Sequence, residues 1–66
     1  MKPLTRAGAI NALTPAMGGF QAILELGRLT AQINSGGANW IEVAGYRLTA
    51  LQTMREKYML ERLDSN

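Results

Sequence analysis

Apolar positions between Phe20 and Ile33 recur at the spacing of an α-helix. With steps of about 100° per residue, the long polar side chains share a wedge roughly 60° wide: Gln21, Glu25, Arg28 and Gln32. The other side chains divide into two apolar faces, with Phe20, Ile23, Leu24, Gly27 and Ala31 on one and Ala22, Leu26, Leu29 and Ile33 on the other. A helix that is apolar around most of its circumference is usually buried. This helix is therefore predicted to contact neighbours on two sides.

Both ends of this first helix carry recognisable signals. Thr14 and Pro15 resemble an N-cap followed by proline at the first helical position, where the missing N–H costs nothing. Residues 34–38 read Asn-Ser-Gly-Gly-Ala, which is typical of a helix end followed by a turn. The sequence thus predicts helix one over 14–34, with 15–33 as its regular part, and a glycine turn over 35–38.

A second helix is predicted over residues 39–63. Asn39 and Glu42 have the spacing of a capping box, in which two side chains bond the free N–H groups of the first turn. Because the link to helix one is short, the two helices are expected to form an antiparallel hairpin. On a helix, seven of its apolar side chains would lie within roughly 120° of one another: Trp40, Ile41, Ala44, Leu48, Leu51, Met54 and Tyr58.

The N-terminal segment, residues 1–13, is predicted to be a short helix or an arm. Thr5 would cap a helix over residues 6–13, but eight residues cannot hold a helix alone. The segment must then dock on the hairpin or become ordered in a complex. With residues 64–66 as a tail, the predicted fold is a single all-α domain: an antiparallel helical hairpin with this short addition.

The predicted hairpin has more apolar surface than it can bury. The chain has 66 residues, of which 47% are hydrophobic and 18% charged, and two helices share only one interface. A spare apolar face of this size usually marks an interaction site, unless the N-terminal segment covers it and gives a monomeric three-helix protein. The residues predicted to contact a protein partner are Ala22, Leu26, Leu29, Ile33, Trp40, Met59, Leu60 and Leu63.

The composition argues against an enzyme. Cysteine and histidine are both absent, which removes the commonest metal ligands and the commonest general base. Glu56 and Glu61 are five residues apart and would not face each other on a helix as an acid and base pair does. No catalytic residue, cofactor or metal site is therefore predicted.

The net charge of +2 is small, yet three arginines would share one side of the second helix. Arg47, Arg55 and Arg62 fall within roughly 80° of one another at helical spacing. This ridge could contact an anionic partner such as nucleic acid. Acidic residues between and beyond the arginines offset their charge, whereas nucleic-acid binders usually concentrate basic charge on one face. Nucleic acid is therefore the less favoured partner.

No targeting segment is predicted. The basic N-terminus resembles the start of a signal peptide, but Pro15 interrupts the chain before any apolar run forms. The most apolar window, residues 16–31, carries three long polar side chains, so no membrane span is expected. The cytoplasm or an assembled particle is the predicted location.

Two functions are compatible with this pattern. The first is a structural or assembly subunit that completes its core by self-association or by docking on a larger complex, of the kind found in filaments, secretion machines or phage particles (virions). The second is a small regulatory module that binds a protein through the face between Trp40 and Tyr58, or nucleic acid through the arginine ridge.

Overall fold

The computed structural model describes residues 2–51 and 56–63 and has an α+β fold, so the predicted all-α hairpin is wrong. Two helices pack on a four-stranded antiparallel sheet with strand order β1-β4-β3-β2. The helix-facing side of the sheet and the inner sides of the helices form one core. In chain order the elements are β1 (Leu4–Thr5), α1 (Arg6–Met17), α2 (Gly19–Asn34), β2 (Trp40–Val43), β3 (Tyr46–Ala50) and β4 (Lys57–Arg62).

The first helix, α1, begins before the predicted start of helix one. It ends at Met17, inside the range predicted for helix one. The predicted cap at Thr5 is confirmed, because its Oγ1 accepts a hydrogen bond from the Gly8 N–H at 3.0 Å. Helix α1 then continues through Pro15, so the predicted helix start at Thr14 and Pro15 is wrong. The break falls instead at Gly18, with φ of 89° and ψ of 153°. Glycine adopts this positive φ without the steric cost that a Cβ would add.

Helix α2 ends where the sequence predicts, at Asn34. The Ser35 N–H reaches back to the Ala31 carbonyl at 3.1 Å, and Gly36 follows with φ of 88°. The Gly37 N–H then donates to the Gln32 carbonyl at 2.8 Å, which satisfies another acceptor of the last turn. The glycine turn therefore stops the helix and redirects the chain into the sheet.

Residues 39–63, predicted as the second helix, contain the three longer strands instead. Val43 pairs with Tyr46, and the two residues between them have φ of 52° (Ala44) and 81° (Gly45). Two consecutive positive φ angles are characteristic of the type I′ turn that joins right-twisted strands. Burial alternates along β2, since Ile41 and Val43 are buried while their neighbours are exposed. This segment therefore follows the period of two that defines a strand.

Asn39 has a role different from the predicted helix cap. Its carbonyl accepts a hydrogen bond from the Ala50 N–H at 2.8 Å, and its side-chain Nδ2 donates to the Ala50 carbonyl at 2.9 Å. In a regular antiparallel pair the backbone N–H of Asn39 would donate to this Ala50 carbonyl, and here the Asn39 side chain donates to it. Asn39 extends the pairing of β2 with β3 by one residue.

The helix-facing side of the sheet receives side chains from every strand. Leu48 lies between Ile41 on β2 and Leu60 on β4, and Leu4 of β1 pairs with Tyr58. Helix α1 docks on this assembly and adds Ala9 and Leu13, so the N-terminal segment is part of the fold. The buried core consists of Ala9, Leu13, Ala22, Leu26, Leu29, Ile41, Val43, Leu48 and Tyr58.

Candidate protein interface

Helix α2 carries an exposed apolar surface on the side turned away from the sheet. Phe20 is 76% exposed, and Ile23 and Leu24 are 46% and 49% exposed. Gly27 and Ala31 continue the same side one and two turns further on, since they follow at helical spacing. We call this surface the outer α2 face and define it as Phe20, Ile23, Leu24, Gly27 and Ala31.

The outer α2 face is exposed because the fold can cover only one side of this helix. Ala22, Leu26 and Leu29 lie on the opposite side and are fully buried against the rest of the chain. Isolated apolar side chains on a surface are ordinary, but a contiguous group that includes a phenylalanine with three quarters of its surface exposed is not. Such a patch is the usual mark of an interaction site.

The two halves of the outer α2 face differ in shape. The N-terminal half bears three large side chains, whereas Gly27 and Ala31 make the C-terminal half low and smooth. Among the described residues, no atom outside the helix lies within 4 Å of the position that a Cβ on Gly27 would occupy. Glycine in a helix interior costs roughly 0.5–1 kcal/mol relative to alanine. Nothing within the described chain therefore requires the glycine at this position.

A polar row runs along one flank of the outer α2 face. Arg28 contacts Glu25 through Nη2 at 2.6 Å and donates a hydrogen bond from Nε at 2.8 Å, both to Oε1. The Gln21 amide donates to the other carboxylate oxygen of Glu25 at 3.1 Å. The Arg28 side chain is 52% exposed and that of Glu25 17%, so solvent still screens this ion pair, and pairs of this kind on a helix contribute about 0.3–0.5 kcal/mol to stability.

Helix α2 also covers the outer edge of strand β2. Gln32 Nε2 donates to the carbonyls of Ala38 and Trp40 at 2.8 and 2.9 Å, and Arg28 Nη2 lies 3.5 Å from the Glu42 carbonyl. An uncovered edge strand can pair with a strand of another molecule. Because side chains of α2 occupy these outward carbonyls, β2 is a poorer site for strand pairing than its edge position suggests.

The partner contacts predicted on helix one lie inside the fold. Ala22, Leu26 and Leu29 have no exposed surface, and Ile33 is partly buried against the same core. Their surface is already used by the sheet of the same chain, so it is not available to a partner in this fold. The sequence separated the two apolar faces of the helix correctly, but the exposed one is the outer α2 face.

The predicted C-terminal patch is also divided by the fold. Met59 and Leu60 are successive residues of β4, and successive side chains of a strand point to opposite faces. Leu60 packs against the core, while Met59 faces the open side of the sheet with its register partner Thr49. Leu63 follows β4 and is 40% exposed. These three residues therefore do not form one surface.

Trp40 lies on the open side of the sheet and is 39% exposed. The guanidinium carbon of Arg47 is 4.5 Å from the centre of its ring, within the range of a cation–π interaction. The indole is therefore partly covered by a side chain of its own sheet.

The predicted arginine ridge is not formed by the two arginines that the structure describes. Arg47 pairs with Glu42 on one side and Glu61 on the other, on the open face of the sheet. Arg62 pairs with Tyr46 and lies 6.0 Å from its ring, on the opposite face. Arg55 lies outside the described residues. The predicted ridge depended on helical spacing. It does not form because Arg47 lies on β3 and Arg62 on β4.

One further feature of the surface is a groove between α2 and the sheet. It has a volume of about 360 Å³ and is lined by Thr30, Ile33, Asn34, Ala50, Leu51, Glu56 and Tyr58. Within residues 2–51 and 56–63 no group of three acidic side chains is close enough to hold a metal ion. In the same ranges neither helix is long and apolar enough to cross a membrane.

Comparison with known proteins gives no family assignment: no family model, curated protein or solved structure matches the chain. The candidate interface therefore rests on its own geometry. A signal in the sequence could have located it, because the inner side of helix one carries the longer aliphatic series, from Leu26 through Leu29 to Ile33. The face that contains a glycine and an alanine fills a core less well and is the one left outside.

Proposed function

We propose that this protein is a non-enzymatic assembly subunit whose outer α2 face is covered by another protein surface. The observation that carries the proposal is the 76% exposure of Phe20 beside two half-exposed aliphatic side chains, Ile23 and Leu24. Aromatic residues are enriched at the centres of protein interfaces, where they supply much of the binding free energy.

The free energy available from this surface supports an assembly role. Burying a whole Phe, Ile or Leu side chain stabilises by roughly 1.5–3 kcal/mol. Covering the fractions of these three that are still exposed would therefore contribute on the order of 3–5 kcal/mol per copy. Association itself costs about 4–15 kcal/mol. The interface must consequently include surface beyond the three side chains, and the row of Gln21, Glu25 and Arg28 is adjacent.

The proposal is tested by site-specific photo-crosslinking of the full chain in the cells that produce it. A photoreactive phenylalanine at position 20 should yield one discrete crosslinked species, and the same group at Trp40, on the open face of the sheet, is the control. Leu24→Gln in the background of the position-20 probe should abolish that species, because it removes apolar surface from the same face. A species that survives Leu24→Gln, or the same pattern from both probes, would contradict the proposal.

A further inference from the structure

We infer that the groove between α2 and the sheet binds a small amphipathic ammonium compound, a ligand with an apolar body and a cationic head. The inference does not depend on the proposed assembly role, because the residues that line the groove are a different set from the outer α2 face. Three features support it: the size and apolar wall of the groove, a buried tyrosine whose hydroxyl opens into it, and the sign of its charge.

The groove has the size and wall of a small-molecule site. Its volume of about 360 Å³ lies within the range of roughly 300–1,000 Å³ that ligand pockets occupy. Ile33 in the last turn of α2, with Ala50 and Leu51 at the end of β3, supplies apolar surface. Ile33 and Ala50 also pack against the core, so the fold itself sets the position of this wall. Such a wall removes the apolar body of a ligand from water.

Tyr58 is a buried residue whose hydroxyl is unpartnered in the described part of the chain. It belongs to the core and is 6% exposed. Within residues 2–51 and 56–63, no fully buried side-chain nitrogen or oxygen lacks a hydrogen-bond partner, and none of the hydrogen bonds found there involves the Tyr58 hydroxyl. This oxygen must therefore reach the surface, and the surface that Tyr58 lines is the groove. Buried tyrosine hydroxyls usually have a partner, which a bound ligand would supply.

The described lining of the groove is electronegative. Glu56 is its charged residue. Ile33 and Asn34 are the last two residues of α2, and the C-terminal end of a helix carries a partial negative charge of about half an elementary charge. Lys57 follows Glu56 in the chain, but its side chain lies on the face of the sheet opposite to that of Tyr58, since successive strand side chains alternate. The groove therefore favours a cation over a neutral or anionic group.

The polar groups that line the groove match an ammonium head. An ammonium group has three N–H donors and no acceptor. The Glu56 carboxylate, the Tyr58 hydroxyl and the side-chain amide of Asn34 all contain oxygens that accept hydrogen bonds. The Thr30 hydroxyl already donates to the Leu26 carbonyl at 3.1 Å and can only accept from a ligand. Hydrogen bonds to charged groups are about twice as strong as neutral ones, so the head fixes the orientation of the ligand.

The first test compares three compounds that share an apolar body and differ in the charge of the head. At pH 7 phenethylamine is a cation, 2-phenylethanol is neutral and 3-phenylpropionate is an anion. In an NMR titration of the full chain, phenethylamine should shift the resonances of Ile33, Ala50 and Tyr58. Its Kd should be at least about tenfold lower than that of the other two compounds. Equal affinities, or shifts confined to other residues, would overturn the inference.

The second test separates the charge of the groove from the charge of the whole chain. Glu56→Gln keeps the size of the side chain and should raise the Kd of phenethylamine at least about fivefold, while that of 2-phenylethanol changes less than about twofold. Glu61→Gln is the matched control, because Glu61 is an exposed residue of the same strand region and pairs with Arg47 on the open face of the sheet. The same loss from both variants would mean that the amine responds to net charge and would overturn the site.

The third test removes the buried hydroxyl. Tyr58→Phe keeps the ring that the core requires and should raise the Kd of phenethylamine at least about threefold, because one hydrogen bond to a charged group is lost. Tyr46→Phe is the control, since Tyr46 is a partly buried residue of β3 outside the lining of the groove. Circular dichroism checks that both variants are folded. Unchanged binding to folded Tyr58→Phe would overturn the inference, because the hydroxyl would then have no place in the site.

A last variant separates this site from the proposed assembly surface. Leu24→Gln changes the outer α2 face and should alter the Kd of phenethylamine less than about twofold. If it abolishes the crosslink from position 20 and leaves amine binding intact, both conclusions stand. Amine binding without any crosslink would leave the groove site standing and remove the assembly role. Loss of amine binding in Leu24→Gln would overturn the groove as a separate site.

Discussion

Two glycines of the helical region differ in what their backbone requires. Gly27 has helical geometry and open space at its Cβ position, whereas Gly18 has φ of 89°. Gly27→Ala should raise the free energy of unfolding of the monomer by about 0.5–1 kcal/mol, because alanine loses less backbone entropy. Gly18→Ala should lower it by more than that, since alanine is strained at positive φ. Urea unfolding at dilute protein measures both, and changes of the same sign would contradict this assignment.

The Gln32 side chain links helix α2 to the edge of the sheet. Its amide bonds two carbonyls, those of Ala38 and Trp40, and so joins the end of the helix to the edge strand. Gln32→Ala should lower the free energy of unfolding by about 1–2 kcal/mol, given roughly 0.5–1.5 kcal/mol per net hydrogen bond. Gln21→Ala is the control, because Gln21 is exposed and its amide bonds a side chain of the same helix, Glu25. A loss at position 21 as large as that at position 32 would argue against the bridging role.

At the scale of elements, the helices were more predictable than the strands. Capping by Thr5 and termination at Asn34 follow from local chemistry, which the sequence displays directly. The segment after residue 39 fits two periods, because some of its apolar residues suit a helical stripe and others suit strand alternation. Its bulky aromatic and β-branched residues, from Trp40 to Val43, together with Gly45, favour strands. Pairing with β4 then selects the sheet, and such distant contacts are not visible in local spacing.

The turn between β2 and β3 allows a test whose sign depends on the secondary structure. Gly45→Ala should lower the free energy of unfolding by about 1 kcal/mol or more, because Gly45 has φ of 81°. In the helix predicted from the sequence, the same substitution would have been stabilising. Ala44→Asn should stabilise by roughly 0.5–1 kcal/mol, since asparagine followed by glycine is the preferred pair in type I′ turns. Urea unfolding of both variants decides between strand and helix at this position.

At the scale of the whole molecule, the sequence separated the two apolar faces of helix one but did not identify which of them is exposed. Angular spacing separates two apolar faces of helix one, and only one can face the core. Which face is inside depends on the surface that receives it, here a sheet that contributes Ile41, Val43 and Leu48. With a helix predicted in place of that sheet, the receiving surface was wrong and the buried face was taken as the exposed one. The small residues Gly27 and Ala31 were the sequence signal for the face left outside, and the packing of the complete chain shows that face directly.

If the proposed assembly joins two copies of this chain through the outer α2 face, stability depends on protein concentration. A dimer that binds only folded chains shifts the folding equilibrium, and association at about ten times the Kd adds on the order of 1.4 kcal/mol. For a domain of this size each kcal/mol raises the Tm by roughly 4–8 °C. The Tm should therefore rise by several degrees between dilute and concentrated samples. Leu24→Gln should remove this dependence while leaving the dilute Tm nearly unchanged, and Leu63→Gln should preserve it. A Tm that does not vary with concentration in the natural chain would mean that the surface covering the outer α2 face is not a second copy.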